Sequence, residues 1–121
     1  MKISGNLTIE DLQRQFQNTF PHLKIELYSL AHQSGKGSEV TTQLNNNLRL
    51  GKISPGIPDA EFVLNKEMTV REFEAAMEKD FKLHVQVFRK SANLWLQTAS
   101  TDHWTLEKQE GKGGRSEVFA K

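Results

Sequence analysis

The chain has 121 residues, no cysteine and a formal net charge of +1, with 36% hydrophobic and 26% charged residues. That length suits one domain, the missing cysteines exclude disulfides, thiolate catalysis and Cys-ligated zinc, and the near-neutral balance excludes a strong whole-molecule field for polyanions. Leu, Ile, Val and Phe make up about a quarter of the residues, above the ~20% level of disordered chains, so a core can form.

No apolar run of signal-peptide length follows Met1-Lys2-Ile3-Ser4-Gly5-Asn6, and no stretch approaches the ~20 apolar residues of a membrane span. A cytoplasmic protein with no membrane partner is the expectation. A short strand over residues 2–6 leads to a helix whose stripe Ile9, Leu12, Phe16, Phe20 keeps near-helical spacing. Thr8 and Asp11 form a capping box in its weaker Asp version, and Pro21 stops the helix by biasing Phe20 out of helical backbone. Leu23-Lys24-Ile25-Glu26-Leu27-Tyr28 then alternates with period two, the signature of a strand with one face on a core.

Residues 31–60 form a linker containing Ser34-Gly35-Lys36-Gly37-Ser38, Asn45-Asn46-Asn47 and the turn chemistry of Pro55-Gly56-Ile57-Pro58-Asp59. A structureless loop this long is uncommon, so a strand or helical turn is expected over residues 48–53. Asn47-Leu48-Arg49-Leu50 echoes Asn93-Leu94-Trp95-Leu96.

The pattern then recurs. A short strand over residues 61–65 precedes a helix with a Thr69–Glu72 capping box and the stripe Val70, Phe73, Met77, Phe81. The alternating strand Leu83-His84-Val85-Gln86-Val87-Phe88 follows. At a shift of 61 Leu12 falls on Phe73, Phe16 on Met77 and Phe20 on Phe81; one residue is dropped near Pro21, after which Ile25 falls on Val85 and Tyr28 on Phe88. Residues 89–93 read as a turn and 94–98 as a further strand, in a register that sets Val87 opposite Leu96 and Phe88 opposite Trp95. A short helix over residues 102–107, capped by Asp102 or Thr105, and a disordered tail over 111–121 complete the reading.

Residues 1–110 therefore read as a single α+β domain: a ferredoxin-like β-α-β repeat, with copies over 1–30 and 61–98, plus an extra C-terminal strand and short helix. Right-handed crossovers would interleave the two copies in one sheet.

The segment Val85-Gln86-Val87-Phe88-Arg89-Lys90-Ser91, with Asn93, Trp95, Thr101-Asp102 and Trp104-Thr105-Leu106, resembles an uncharacterised family of small bacterial proteins. The resemblance covers the last third best. It implies a bacterial origin and no activity.

The constellations that carry chemistry are sparse. Ser34-Gly35-Lys36-Gly37-Ser38 lacks the spacing of a phosphate loop and reads as a linker. His22, His32, His84 and His103 show no metal spacing, and no G-x-S-x-G elbow is present. Glu72, Glu74, Glu78 and Asp80 read as a solvated helix face. No metal or cofactor is assigned.

The aromatics are the best lead. Alternation puts Tyr28, Phe88 and Trp95 on the sheet face away from the helices, with Lys2, Lys24 and His84. Base-stacking modules use such faces, but on their central strands and with an RNP1 pattern this chain lacks, so nucleic acid is not the expected partner. Trp104, or a second subunit, is expected to cover the rings. Tyr28, His84, Phe88, Trp95 and Trp104 form the candidate binding set. The reading is a non-catalytic binding or assembly module using the outer sheet face, for a protein partner or a second copy. The alternative is an enzyme or small-ligand regulatory domain with a site in the 31–60 linker, and the third is single-stranded nucleic-acid binding.

Overall fold

The computed structural model describes residues 1–30 and 35–119; His32 and Ser34 of the linker, and residues 120–121 of the tail, lie outside them. Strand β1 (Lys2–Ile3) leads to helix α1 (Ile9–Thr19) and strand β2 (Leu23–Tyr28). A 3-10 turn (Val40–Thr42) and helix α2 (Leu50–Ile53) precede β3 (Ala60–Glu61), α3 (Val70–Phe81), β4 (His84–Ser91) and β5 (Leu94–Gln97). A second 3-10 turn (Ala99–Thr101) and helix α4 (Leu106–Phe119) close the chain.

The architecture is mixed α+β, with two antiparallel sheets, β1–β3 and β2–β4–β5. The single interleaved sheet is not what these strands form. That order would place β2 and β4 at opposite edges, whereas they pair directly from Leu23 opposite Arg89 to Tyr28 opposite His84. The two long alternating strands match each other over a full ladder, while β1 and β3 offer only the pairs Lys2–Glu61 and Ile3–Ala60.

Both expected helix starts form. Thr8 Oγ1 accepts the Asp11 N–H at 3.2 Å while Asp11 Oδ2 accepts the Thr8 N–H at 2.9 Å. Thr69 and Glu72 make the same reciprocal pair, both at 3.0 Å. Helix α1 ends at Thr19 with Phe20 as its C-cap, as Pro21 requires. Ile9, Leu12, Phe16 and Phe20 from one helix, and Val70, Phe73, Met77 and Phe81 from the other, are buried with Ile25, Leu27, Val85 and Val87 beneath them. The helices meet through Phe16 and Phe73, ring centroids 5.2 Å apart. Burying each such ring contributes about 2–3 kcal/mol.

Helix starts also meet in pairs. The Ile9 N–H donates to Leu48 C=O and the Leu50 N–H to Leu7 C=O, while Glu10 N–H bonds Asn46 C=O and Gly51 N–H bonds Gly5 C=O. At α3 and α4, Val70 N–H donates to Trp104 C=O, Leu106 N–H to Met68 C=O, Arg71 N–H to Asp102 C=O and Glu107 N–H to Lys66 C=O. Each junction thus satisfies helix-start N–H groups that would otherwise need water or a side chain. Asn47-Leu48-Arg49-Leu50 therefore stands opposite Asn6-Leu7-Thr8-Ile9, around a bridge between Thr8 and Arg49. Its likeness to Asn93-Leu94-Trp95-Leu96 is a coincidence of composition, and residues 50–53 form a helical turn.

Two further expectations are corrected. Residues 111–119 are helical, not a disordered tail. Glycines disfavour helix by about 1 kcal/mol each, but here they permit docking: a Cβ at Gly113 would sit 3.0 Å from both the Cβ and the carbonyl oxygen of His22. Glu110 holds the same residue, accepting the His22 N–H at 2.7 Å and pairing with its ring Nδ1. Ser116 Oγ donates to Lys90 C=O at 3.0 Å. The hairpin register is also shifted by two. Phe88 lies opposite Gln97, Arg89 opposite Leu96 and Lys90 opposite Trp95, because the loop is only Ala92-Asn93, with Ala92 at φ 53°. A two-residue loop with positive φ at its first position suits the twist of a hairpin.

Candidate functional site: the outer face of the three-stranded sheet

Cross-strand pairing places Lys24 beside Phe88, Glu26 beside Gln86 and Tyr28 beside His84, on the face turned away from buried Ile25, Leu27, Val85 and Val87. Trp95 joins them from β5. The Lys24 ammonium lies 5.2 Å from the ring centroids of both Phe88 and Trp95, and Lys90 Nζ lies 5.1 Å from Trp95. Cations held at aromatic faces are attracted by about 0.5–1 kcal/mol each when solvent-exposed. Lys24 also pairs with Glu26 at 3.3 Å. Phe88 and Trp95 share this face as expected, but as diagonal neighbours joined through Lys24 rather than as a direct cross-strand pair.

Trp104 does not cover this face. Its ring stacks under Lys108 Nζ at 4.2 Å and Arg89 at 5.6 Å, and Arg89 alternates with Phe88 onto the opposite side. The partial cover comes instead from the chain's own connecting segment. The Ser38 N–H donates to Gln97 Oε1 at 2.9 Å, Gln97 Nε2 returns a bond to Ser38 C=O at 2.9 Å, and Ser38 Oγ reaches Gln86 Oε1 at 3.3 Å. Gln86 is buried completely as a result.

Tyr28 and His84 form the other end of the face and line a cavity of about 240 Å3 with Ser29, Leu44, Ile53, Lys82 and Leu83. Burial, reinforced by the Glu26 charge, pushes the Tyr28 phenol up to about 12. Its hydroxyl donates to Gln43 Oε1 at 3.4 Å. His84 Nδ1 is buried, lies 3.7 Å from Glu78 Oε1, and makes no hydrogen bond among the described residues.

Three polar residues play parts the sequence did not reveal. Glu74 is buried, not solvated, and its Oε2 accepts the Val87 N–H at 2.9 Å. Its position four residues after Val70, on the border of the apolar stripe, was the available signal. Asp102 is not the helix cap. It is buried and accepts from Arg71 at 2.8 Å, which raises the guanidinium pKa, and from the Gly35 N–H at 3.1 Å. Thr105 Oγ1 takes the capping role, accepting the Lys108 N–H at 3.1 Å. His22, which has no metal spacing in the sequence, is the part-buried partner of Glu110.

Among the described residues no group of three or more His, Asp or Glu is placed to hold a metal ion, and no helix is long and apolar enough to cross a membrane. Compared with family models, curated proteins and solved structures, the chain matches none.

Proposed function

We propose that this protein is a non-catalytic binding module whose recognition surface is the outer face of the β2–β4–β5 sheet. The observation that carries the reading is the half-exposed group of Lys24, Phe88, Lys90 and Trp95, in which two ammonium groups and two large rings share one side of the sheet. Trp is enriched among the few side chains that carry most of the energy of a binding surface, and Lys24 and Lys90 give this one its charge. A peptide array probed with the wild-type chain and with a Lys90→Ala/Trp95→Ala variant tests it. Hits weakened at least tenfold by a variant that keeps its melting temperature support the reading; hits indifferent to the variant overturn it.

A second reading rests on the Tyr28–His84 cavity, which takes Leu44 and Ile53 from the 31–60 linker and so suits a small-ligand regulatory domain. Fragment titrations followed by the amide shifts of residues 28, 44 and 84 test it, and silence at all three removes it. The matching hydrogen bonds at the two helix junctions support the view that residues 1–30 and 61–98 are copies of one β-α-β unit.

A further inference from the structure

The two edges of the three-stranded sheet are treated differently by the chain. The β2 edge is closed: Gln13 Nε2 donates to Ile25 C=O at 2.9 Å, Leu44 N–H donates to Leu27 C=O, and Ser29 N–H donates to Thr42 C=O. The β5 edge is open. Thr98 N–H bonds Val87 C=O, and hydrogen-bonded pairs alternate along an antiparallel ladder. Leu96 and Leu94 therefore turn their main-chain groups to β4, and Trp95 and Gln97 turn theirs outward. Among the described residues neither main chain finds an outward partner. Apart from the Gln97 clasp on Ser38 over the outer face, the side chains add no guard. Leu94 is 66% and Leu96 41% exposed, and β5 carries no charge or proline of the kind that blunts an edge.

We propose that the β5 edge binds an extended peptide segment in which acidic and apolar residues alternate, adding a fourth strand to the sheet. The proposal rests on the outer-face reading and names its partner. Residues 88–98 contain Arg89 and Lys90 and no carboxylate. Lys90 has no acidic partner among the described residues, and both Lys90 and Lys24 reach Trp95. A second copy brought edge to edge would set Lys90 against its own kind, whereas acidic side chains would meet Lys90, with Lys24, already paired to Glu26 at 3.3 Å, behind it. Strand periodicity then sends the intervening residues to the other side, beside the exposed Leu94 and Leu96, where apolar groups fit. Main-chain bonds supply the pairing and the alternating side chains the selectivity.

The probe is a synthetic octapeptide of alternating Val and Glu, compared with its Val/Lys analogue, added to the full chain. Amide hydrogen exchange and amide shifts are read by NMR. The acidic peptide is expected to slow exchange at Trp95 and Gln97 at least tenfold, to bind at least tenfold more weakly to Lys90→Glu, and to lose affinity with added salt; the lysine analogue should leave wild type unchanged. Shifts at Lys24 and Phe88 without protection of Trp95 and Gln97 would overturn edge pairing while leaving the outer-face reading standing. Protection of both amides without peptide, rising with protein concentration alongside a dimer in sedimentation, would make a second copy the occupant and overturn the proposal. Absence of any effect from the acidic peptide would overturn it as well, and the array result decides separately whether the outer face binds anything.

Discussion

The two helix junctions use the same four main-chain hydrogen bonds and yet lead to different structures. At the first, α2 stops after four residues, where the Ser54 hydroxyl donates to Phe81 C=O at 2.6 Å and Pro55-Gly56 follows with Gly56 at φ 82°. At the second, α4 runs for fourteen residues through Gly111, Gly113 and Gly114. The junction sets where each helix begins. What the helix then touches sets where it ends: Ser54 binds a core carbonyl and turns away, whereas α4 lies along β4 and is held by Gln109, Glu110 and Ser116.

The largest expected effect tests whether the two halves share one core. Phe16→Ala and Phe73→Ala should each cost about 3–5 kcal/mol in urea unfolding; a large loss at one and a small loss at the other would mean the halves are not equivalent partners in that contact. The next test separates the junctions. A Cβ at Gly51 would lie 3.0–3.1 Å from the Gly5 backbone, so Gly51→Val should cost about 1–3 kcal/mol through overpacking. Glu107, which occupies the matching place in the second junction, is exposed, and Glu107→Ala should stay within about 0.5 kcal/mol.

Smaller still are the caps, where the halves should behave alike. Thr8→Ala and Thr69→Ala should each cost about 1 kcal/mol. Main-chain and then hydroxyl hydrogen bonds from Thr8 and Thr69 hold the Asp11 and Glu72 carboxyls below their ordinary values. Because the folded pKa values are depressed, this stabilisation is present above the unfolded values and is lost as pH falls through the folded ones. Melting curves between pH 5 and pH 2 (bounds set by about the ordinary carboxylate range) should fall for wild type more steeply than for an Asp11→Asn/Glu72→Gln variant, which has neither carboxyl to protonate.

The last effect belongs to one half alone and is absent at neutral pH. The chain has a single tyrosine, and the phenol of Tyr28 is raised from 10.0 to about 12. A raised folded pKa means its contribution is intact below pH 10 and is lost as pH rises through about 12. Phenolate absorbance should therefore lag behind that of unfolded chain, and Tyr28→Phe should remove the tyrosine-linked part of the alkaline fall in stability.

Helices α1 and α3 were legible in the sequence because cap and stripe agree at Thr8–Phe20 and Thr69–Phe81, with Pro21 adding a stop signal to the first. Strands β2 and β4 were legible from alternation. The sheet order was not, since alternation says which face of a strand is buried and nothing about its neighbour. Helix α4 was hidden because Gly111-Lys112-Gly113-Gly114 has poor helix propensity, and contacts distant in the chain, such as that of Gly113 with His22 91 positions away, offset that preference. At the candidate site, alternation brought Tyr28, His84, Phe88 and Trp95 to one face. It could not reveal that Trp104 faces Arg89, or that Ser38 and Gln97 would clasp across the sheet.

The buried Glu74 carboxylate has a further consequence for the β4–β5 hairpin. A slip of two residues keeps every side chain on its own face, so hydrophobic patterning is blind to the choice between Trp95 opposite Lys90 and Trp95 opposite Phe88. Something that is not a side-chain face must decide: the two-residue Ala92-Asn93 turn does so, and the main chain of Val87 reinforces it. Its N–H is occupied by Glu74 at 2.9 Å and its C=O by the N–H and hydroxyl of Thr98 at 3.1 and 2.8 Å. In the slipped alignment Leu96 would stand opposite Val87, and the Thr98 contacts would be lost. A helix residue thus acts as a ruler laid against a hairpin it does not belong to, reinforcing the alignment that the turn selects from two that composition alone leaves degenerate.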